Sequence, residues 1–199
     1  IASEKPMVRK YIIDSLCYWA SEYHIDGFRF DLMGVLDIET LNEARKALLK
    51  INPDIIMYGE GWTGGESTLP ESERGMKINA PRTPGIGMFS DDIRDAVKGH
   101  VFYMDELGFV NGAADRGEEL KQAVTCAKWA KSPMQSINYL SCHDNYTLWD
   151  RFIISNSHES EEMRIRMNKL AAAILFTAQG IPFFLHGEEF ARTKISEAD

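Results

Sequence analysis

The hydrophobic residues of this chain recur with two spacings, which alternate along the sequence. Apolar residues three or four positions apart predict a helix that Ser3 caps and that ends near Tyr23. Its apolar positions are Val8, Ile12, Leu16 and Trp19. The same spacing, together with capping residues, predicts further helices over 37–50, 90–98, 117–131 and 159–179. Asp37 is the expected cap of the second helix, and Gly99 and Gly180 are expected stops.

Short apolar runs lie between these helices and predict strands at 25–34, 55–60, 136–142 and 181–185. We expect the second strand to be buried on both faces. The segment at about 62–89 is rich in Gly, Pro, Ser and Glu and shows no period, so it predicts a long βα loop. Loops of that length inside a domain are usually functional.

Alternating helices and strands favour an α/β fold with a parallel sheet and helical crossovers. A closed barrel and an open doubly wound sheet both fit this pattern. No glycine-rich nucleotide fingerprint follows any strand, which weakens the dinucleotide-binding version of the open sheet. The 199 residues, 44% of them hydrophobic, suit one domain or a large part of one.

The net charge of −8 argues against a nucleic-acid partner, and no apolar run reaches the ~18 residues of a membrane span. Cys17, Cys126 and Cys142 are odd in number and lack metal-ligand spacing. We therefore expect free, buried thiols and a cytoplasmic protein. The chain begins with Ile1 and enters a helix almost at once, so we expect a piece of a longer chain. An extracellular or cell-surface location stays open for that reason.

Charged residues occupy one face of the first predicted strand. In an extended strand Phe28 and Phe30 share one face, and Arg29 and Asp31 share the other. A charge on a face suited to burial is costly unless it is paired. The pair is therefore either a structural ion pair or part of a functional site.

Acidic residues follow three of the predicted strands. Functional residues of eight-stranded α/β barrels lie at the carboxyl ends of strands, where this chain carries Asp31, Glu60 and Asp144. Carboxylates that meet at one rim repel one another, so that one has a raised pKa and keeps its proton. Glycoside cleavage needs this combination of one carboxylate and one carboxylic acid.

The neighbours of these carboxylates suggest their roles. Arg29 would hold Asp31 ionised, and Glu60 lies in a less charged neighbourhood that suits a proton donor. Asp144 would stabilise positive charge on the sugar, and Trp62 offers a flat face on which a sugar ring could stack. The alternative for Trp62 is an ordinary core aromatic.

Other polar residues have simpler interpretations. His143 and Asp144 could form one corner of a metal site, but neither HExxH nor CxxC occurs. We therefore predict no metal and identify no cofactor; calcium is possible but is not indicated by this segment. The residues after the last strand, His186, Glu188 and Glu189, are expected to be structural support or rim contacts. Asp91–Asp92 is expected to start a helix.

Three motifs resemble conserved regions of a known family. The segments DGFRFDLMG at 26–34, YGEGW at 58–62 and SCHDNYTLWD at 141–150 resemble the second, third and fourth conserved regions of the α-amylase superfamily. They look most like the versions in type I pullulanases, which debranch α-glucans. The resemblance covers nearly the whole chain, including LHGEEF at 185–190.

The resemblance implies part of a (β/α)8 TIM barrel, roughly from strand four to strand eight, with residues 1–199 as a partial catalytic domain. It implies a retaining double displacement on α-1,6 linkages of pullulan, starch or glycogen. Asp31 would be the nucleophile, Glu60 the general acid and base, and Asp144 the stabiliser of the transition state. Arg29, His143, Trp62 and Asn145 would be the supporting and substrate-binding residues. The expected partner is an α-glucan polysaccharide or branched oligosaccharide.

Parts of the family pattern are missing from this chain. The first conserved region and the YNWGYDP signature of type I pullulanases have no match. We therefore expect the segment to carry the catalytic residues without being a competent enzyme alone. Alternatives on the same fold are an isoamylase-like or glucan-transferring enzyme and a non-catalytic carbohydrate-binding protein.

Overall fold

The computed structural model describes residues 1–195, which divide into two compact units with separate hydrophobic cores. The first unit comprises residues 1–89 and 129–135, and the second comprises 90–128 and the chain from 136 onward. The first unit contains helices α1 (Pro6–Glu22) and α2 (Ile38–Leu48), strands β1 (Gly27–Phe30) and β2 (Ile56–Gly59), and strand β3 (Gly87–Ser90) except for its last residue. The second contains helices α3 (Asp91–Lys98), α4 (Gly117–Val124), α5 (Leu148–Ser155) and α6 (Glu161–Thr177) and strands β4 (Ser136–Asn138) and β5 (Ile181–Pro182).

The strands of the first unit are parallel, and their register brings two strand ends together. Phe30 of β1 pairs with Gly59 of β2, and Gly59 pairs in turn with Met88 of β3. A side chain at position 59 would place its Cβ 2.4 Å from the Phe30 carbonyl oxygen, so this close approach requires glycine. Since Phe30 and Gly59 are partners, the residues that follow them, Asp31 and Glu60, leave the two strands side by side.

Two helices cover the first unit's core. Helix α1 packs against α2, and Asp37 caps α2 by accepting a hydrogen bond from the Thr40 amide. Leu41, Ala44 and Leu48 form the buried face of α2, as their spacing predicts.

In the second unit β4 and β5 are parallel, with Ile137 opposite Ile181. Helix α6 begins at its cap Ser160 and ends before Gly180, which has a positive φ of 123° that favours glycine. Helix α3 has Asp91 and Asp92 in its first turn and ends at Gly99, also with positive φ. Parallel strands thus alternate with helices along the chain, and the predicted α/β class is confirmed.

Ser3 does not cap α1. The N-cap is Lys5, without a side-chain hydrogen bond, and Ser3 is instead fully buried against Asp37. Its hydroxyl donates to Asp37 Oδ2 at 2.6 Å and accepts from the Asp37 amide at 2.9 Å. The tertiary partner outcompetes the local cap because it satisfies a buried carboxylate.

The second half of the predicted 62–89 loop contains structure that its pattern does not show. Two 3-10 helices occupy Glu71–Glu73 and Lys77–Arg82, and the last residues form β3, a strand of four fully buried residues. A strand this short shows no alternation because both of its faces are buried.

Two further predictions about elements are wrong in detail, and one helix is missing from them. Helix α4 ends at Val124 rather than near 131, and β2 is not buried on both faces, since Ile56 is exposed. Helix α5 was absent from the predicted elements, although Thr147 caps it by accepting from the Asp150 amide. The pattern Thr-x-x-Asp is a helix-start signal that could have revealed it.

Candidate active site

Arg29 joins the two predicted catalytic carboxylates of the first unit. Its Nη1 donates to Asp31 Oδ1 at 2.5 Å, and its Nη2 donates to Glu60 Oε1 at 2.7 Å. The Arg29 guanidinium also lies 5.6 Å from the ring centre of Phe89. One cation therefore fixes a carboxylate at the end of β1 and another at the end of β2, as the register of these strands allows.

The two carboxylates differ in exposure. The side chain of Asp31 is 65% exposed and that of Glu60 is 6% exposed. Asp31 can therefore be reached from solvent by a reacting atom, whereas Glu60 is held within the protein. Two carboxylates that lie close together in different environments can act on the same bond, one as general acid or base and the other as nucleophile.

Glu60 is held by a second donor, from a strained backbone segment. The Leu32 amide donates to Glu60 Oε2 at 2.8 Å, and Leu32 has a positive φ of 44° that non-glycine residues rarely adopt. Strain of this kind costs about 1–3 kcal/mol and clusters at functional sites. The expectation that Glu60 lies in a less charged neighbourhood is wrong, because Arg29 contacts it directly.

Trp62 is half-buried at the start of the long loop, where close backbone packing fixes it. The Gly34 amide lies 3.2 Å from the Glu60 carbonyl oxygen and 3.0 Å from the Trp62 carbonyl oxygen, and donates to both. A Cβ at position 34 would lie 2.4 Å from the Trp62 oxygen. Gly34 therefore ties the segment that carries Glu60 and Trp62 to the end of β1.

The second unit carries the other predicted site residues on the loop that precedes α5. His143 Nε2 lies 3.4 Å from Asp144 Oδ1, and both side chains are 59% exposed. Asn145 adopts a left-handed conformation with a φ of 56°, within a bend of the chain at 143–145. The structure thus groups Arg29, Asp31 and Glu60 in one unit and His143, Asp144 and Asn145 in the other. The convergence of Asp144 with Asp31 and Glu60 stays a prediction.

Cys142, His143 and Asp144 offer ligand atoms within 4.8 Å of one another. A thiolate, an imidazole and a carboxylate suit zinc rather than calcium, which takes six to eight oxygen ligands. An ammonium group, that of Lys194, is bonded to this same loop and would repel a metal cation. We assign no metal to the site.

A cleft of about 680 Å³ opens beside this loop. Its lining includes Phe102, Tyr146 and Asn145, and the first two side chains are 73% and 42% exposed. Exposed aromatic rings next to an amide are a suitable surface for a sugar. Sequence reasoning missed Phe102, because the segment from His100 to Gly117 shows no pattern that marks it.

Two charged groups lie buried in the second unit. Lys98, at the end of α3, is 2% exposed, and burial together with the charge of Arg94 lowers its pKa to about 7. Glu188 is 4% exposed, and burial raises its pKa. Glu188 accepts a hydrogen bond from the Leu185 amide, and Glu189 accepts one from the Gly187 amide. These two glutamates therefore support the turn after β5, as expected.

Two observations bear on the wider environment of the chain. Cys17 and Cys126 are free thiols, as predicted, and all three cysteines are half-buried rather than buried. Within residues 1–195, the helices all fall short of the length and apolar character that a membrane span requires.

Comparisons with known proteins agree with the motifs. The sequence matches the family described as "Alpha amylase, catalytic domain" over residues 1–199. It is 42% identical to a pullulanase of Bacillus subtilis (strain 168), over 98% of this chain and 28% of that protein.

Solved structures give the same result. A pullulanase from Anoxybacillus sp. LM18-11 complexed with maltotetraose matches with a TM-score of 0.95 and 48% identity, over 98% of this chain and 28% of that one. A pullulanase from Paenibacillus barengoltzii, in complex with maltohexaose and alpha-cyclodextrin, matches with a TM-score of 0.92 and 49% identity. This match covers 97% of this chain and 31% of that one.

This chain therefore spans less than a third of the length of these relatives. Its five strands and their helices fit a fragment of a TIM barrel. The chain belongs to the alpha-amylase catalytic-domain family, in which it is similar to pullulanases.

Proposed function

We propose that the protein containing this chain is a pullulanase-type glycoside hydrolase that cleaves α-1,6-glucosidic branch linkages in pullulan, starch or glycogen. The observation that carries the proposal is the Arg29 bridge between Asp31 and Glu60 at the ends of neighbouring strands. Holding two carboxylates on one guanidinium favours the short separation of retaining enzymes, about 5–5.5 Å, over the wider spacing of inverting ones. Residues 1–199 are, in this proposal, part of one catalytic barrel domain.

The proposed reaction has two displacements. Asp31 attacks the anomeric carbon while Glu60 gives a proton to the departing glycosidic oxygen, which leaves a β-glycosyl ester on Asp31. Glu60 then takes a proton from water, the water oxygen attacks the same carbon, and Asp31 is released. The product keeps the α-configuration because the carbon is inverted twice.

The exposure of Asp31 and the hydrogen bonds of Glu60 support these roles. The solvent-facing Asp31 can reach a sugar carbon, and Arg29 keeps its oxygens oriented for attack. Each Glu60 oxygen accepts a hydrogen bond, and a carboxyl oxygen has a second lone pair where a proton can be held. Arg29 is thus a positioning residue for both carboxylates.

The remaining residues bind the glucan. Asp144 stabilises positive charge on the sugar ring and binds its hydroxyls, and His143 hydrogen-bonds the sugar on the non-reducing side. Trp62 and Asn145 are further substrate contacts. The partner is an α-glucan or branched oligosaccharide, supported by the maltooligosaccharides in the related pullulanase structures. The free thiols of Cys17 and Cys126 support a cytoplasmic location.

The test is hydrolysis of pullulan by the complete protein. Maltotriose as the product supports the proposal; attack on glycogen without attack on pullulan indicates an isoamylase-like enzyme, and longer glucan products indicate a transferase. Binding without turnover indicates a non-catalytic carbohydrate-binding protein.

Two variants test the assigned residues. Asp31→Asn or Glu60→Gln should remove nearly all turnover and leave glucan binding measurable, because general acid–base catalysis alone supplies about 10²–10⁴-fold. A Glu60→Gln variant with most of its activity would refute that assignment. We also expect the isolated 199-residue chain to be inactive, and pullulan hydrolysis by it would overturn this expectation.

A further inference from the structure

The ammonium group of Lys194 gathers three backbone carbonyls of the loop that carries His143 and Asp144. Lys194 Nζ lies 2.6 Å from the carbonyl oxygen of His143, 2.7 Å from that of Asn145 and 3.5 Å from that of Cys142. An ammonium has three N–H donors and no acceptor, which matches three convergent carbonyls. Asn145, one of the three residues, is in the left-handed conformation with a φ of 56°.

The segment that carries Lys194 is fixed independently of this loop. Asp150, fully buried in the first turn of α5, accepts a hydrogen bond from Thr193 Oγ1 at 2.5 Å on one carboxylate oxygen. Its other oxygen accepts from the Lys194 amide at 2.8 Å. A buried, doubly bonded carboxylate therefore sets the backbone of Lys194, and the side chain extends from a fixed base to the loop.

We propose that Lys194 is a positioning residue for loop 142–145 and holds Asp144 in its working geometry. This inference rests on the proposed function, in which Asp144 stabilises the transition state. Lys194 acts on the loop backbone and leaves the side chains of His143 and Asp144 free to face substrate. The residue lies 44 positions from Asp150 and about 50 from the loop, so local sequence patterns do not reveal the link.

The structure also supplies a competing role for Lys194 that the test must separate. Lys194 lines the 680 Å³ cleft together with Asn145 and Tyr146, so its ammonium could bind a sugar hydroxyl directly. A substrate contact of that kind would change KM, whereas a displaced Asp144 would change kcat. A displacement of about 1 Å at a reacting group can cost up to ~10²-fold in rate.

The test compares Lys194→Met with Arg192→Met in the complete protein. Methionine keeps most of the lysine stem and removes the ammonium. Arg192 is the matched control, because it is an exposed cation on the same segment whose guanidinium contacts the His186 carbonyl oxygen rather than the loop. Lys194→Arg, which keeps the charge, is the conservative variant.

We expect Lys194→Met to lower kcat on pullulan by roughly 10- to 100-fold with KM within threefold of wild type. Arg192→Met should stay within twofold in both constants, and Lys194→Arg should recover part of kcat. Hydrogen exchange of the backbone amides over 142–147 should quicken in Lys194→Met alone. This exchange measurement needs no activity and remains informative if the variant is less stable.

Each other outcome has a defined meaning. An unchanged kcat, or a rise in KM alone, overturns the positioning role, as does unchanged hydrogen exchange in the loop. An equal loss in Arg192→Met overturns it too, because the effect would then belong to general charge removal. A wild-type protein that does not hydrolyse pullulan refutes the proposed function itself, and this inference with it.

Discussion

Replacing Arg29 by methionine should weaken catalysis strongly while leaving the protein folded. The substitution removes the cation that binds both Asp31 and Glu60, while the Leu32 amide still donates to the buried Glu60 carboxylate. The side chains of Arg29 and Glu60 are 26% and 6% exposed, so their ion pair is largely buried. Breaking such a pair lowers the free energy of unfolding by about 3 kcal/mol. The contact with the exposed Asp31 adds at most about 1 kcal/mol.

The expected effect on the rate is separate from this loss of stability. Without Arg29 the two carboxylates lose their shared donor, and a misplacement of about 1 Å at a reacting group can cost ~10²-fold, so kcat/KM should fall by roughly 100-fold. Lysine at this position has one ammonium and cannot form the two-pronged bridge, so Arg29→Lys should lie between methionine and wild type. The assay is the initial rate of reducing-end release from pullulan by the complete protein.

Arg9→Met is the control for removing a charge. Arg9 contacts the carboxylates of Asp37, Glu39 and Glu43 in the same unit as Arg29. Its loss should lower the unfolding temperature and leave kcat/KM within twofold. If Arg29→Met also stays within threefold of wild type, the two carboxylates do not depend on their shared cation and the reasoning fails.

Three further predictions concern stability and binding. Ser3→Ala should lower the free energy of unfolding by about 1–3 kcal/mol. Burial alone would raise the pKa of Asp37, but hydrogen bonds from Ser3 and Thr40 hold that pKa below its ordinary value. This stabilisation is present above the ordinary aspartate pKa and lost as pH falls through the folded one, so the loss of Tm in the variant should shrink in acid; an equal loss at all pH values would contradict it. Burial lowers the pKa of Lys98 from its ordinary value of 10.5 to about 7. Between pH 7 and pH 10.5 the folded state therefore binds fewer protons than the unfolded state. Stability should therefore rise with pH across that window, and Lys98→Met should remove this contribution from the Tm profile; an identical slope in both proteins would refute it. Phe102→Ala should raise KM for pullulan about fivefold with kcat within twofold, as a stacking contact of about 1 kcal/mol requires; an unchanged KM would exclude Phe102 from the binding surface.

Features set by neighbouring residues were predictable from the sequence. Asp37 caps α2 and Gly180 follows the end of α6, because a cap or a stop depends on a few adjacent positions. Asp31 and Glu60 were found for the same reason, since each directly follows an apolar run that forms a strand.

Features that depend on distant partners were not predictable. Ser3 has the side chain of a helix cap, but a partner 34 residues away decides its role. The contact of Arg29 with Glu60 depends on strand register, which the hydrophobic pattern does not give. The bond from Lys194 to the loop at 142–145 depends in turn on Asp150, in a helix absent from the predicted elements.

The central claim, that Asp31 is the nucleophile of a retaining enzyme, can be tested by trapping the covalent intermediate. The complete protein would be incubated with a 5-fluoro maltotriosyl fluoride, whose good leaving group allows the ester to form and whose ring fluorine slows its hydrolysis. Peptide mass spectrometry should find one glycosyl adduct per active site, on Asp31, and none in Asp31→Asn. An adduct on another residue, or turnover that inverts the anomeric configuration, would contradict the account.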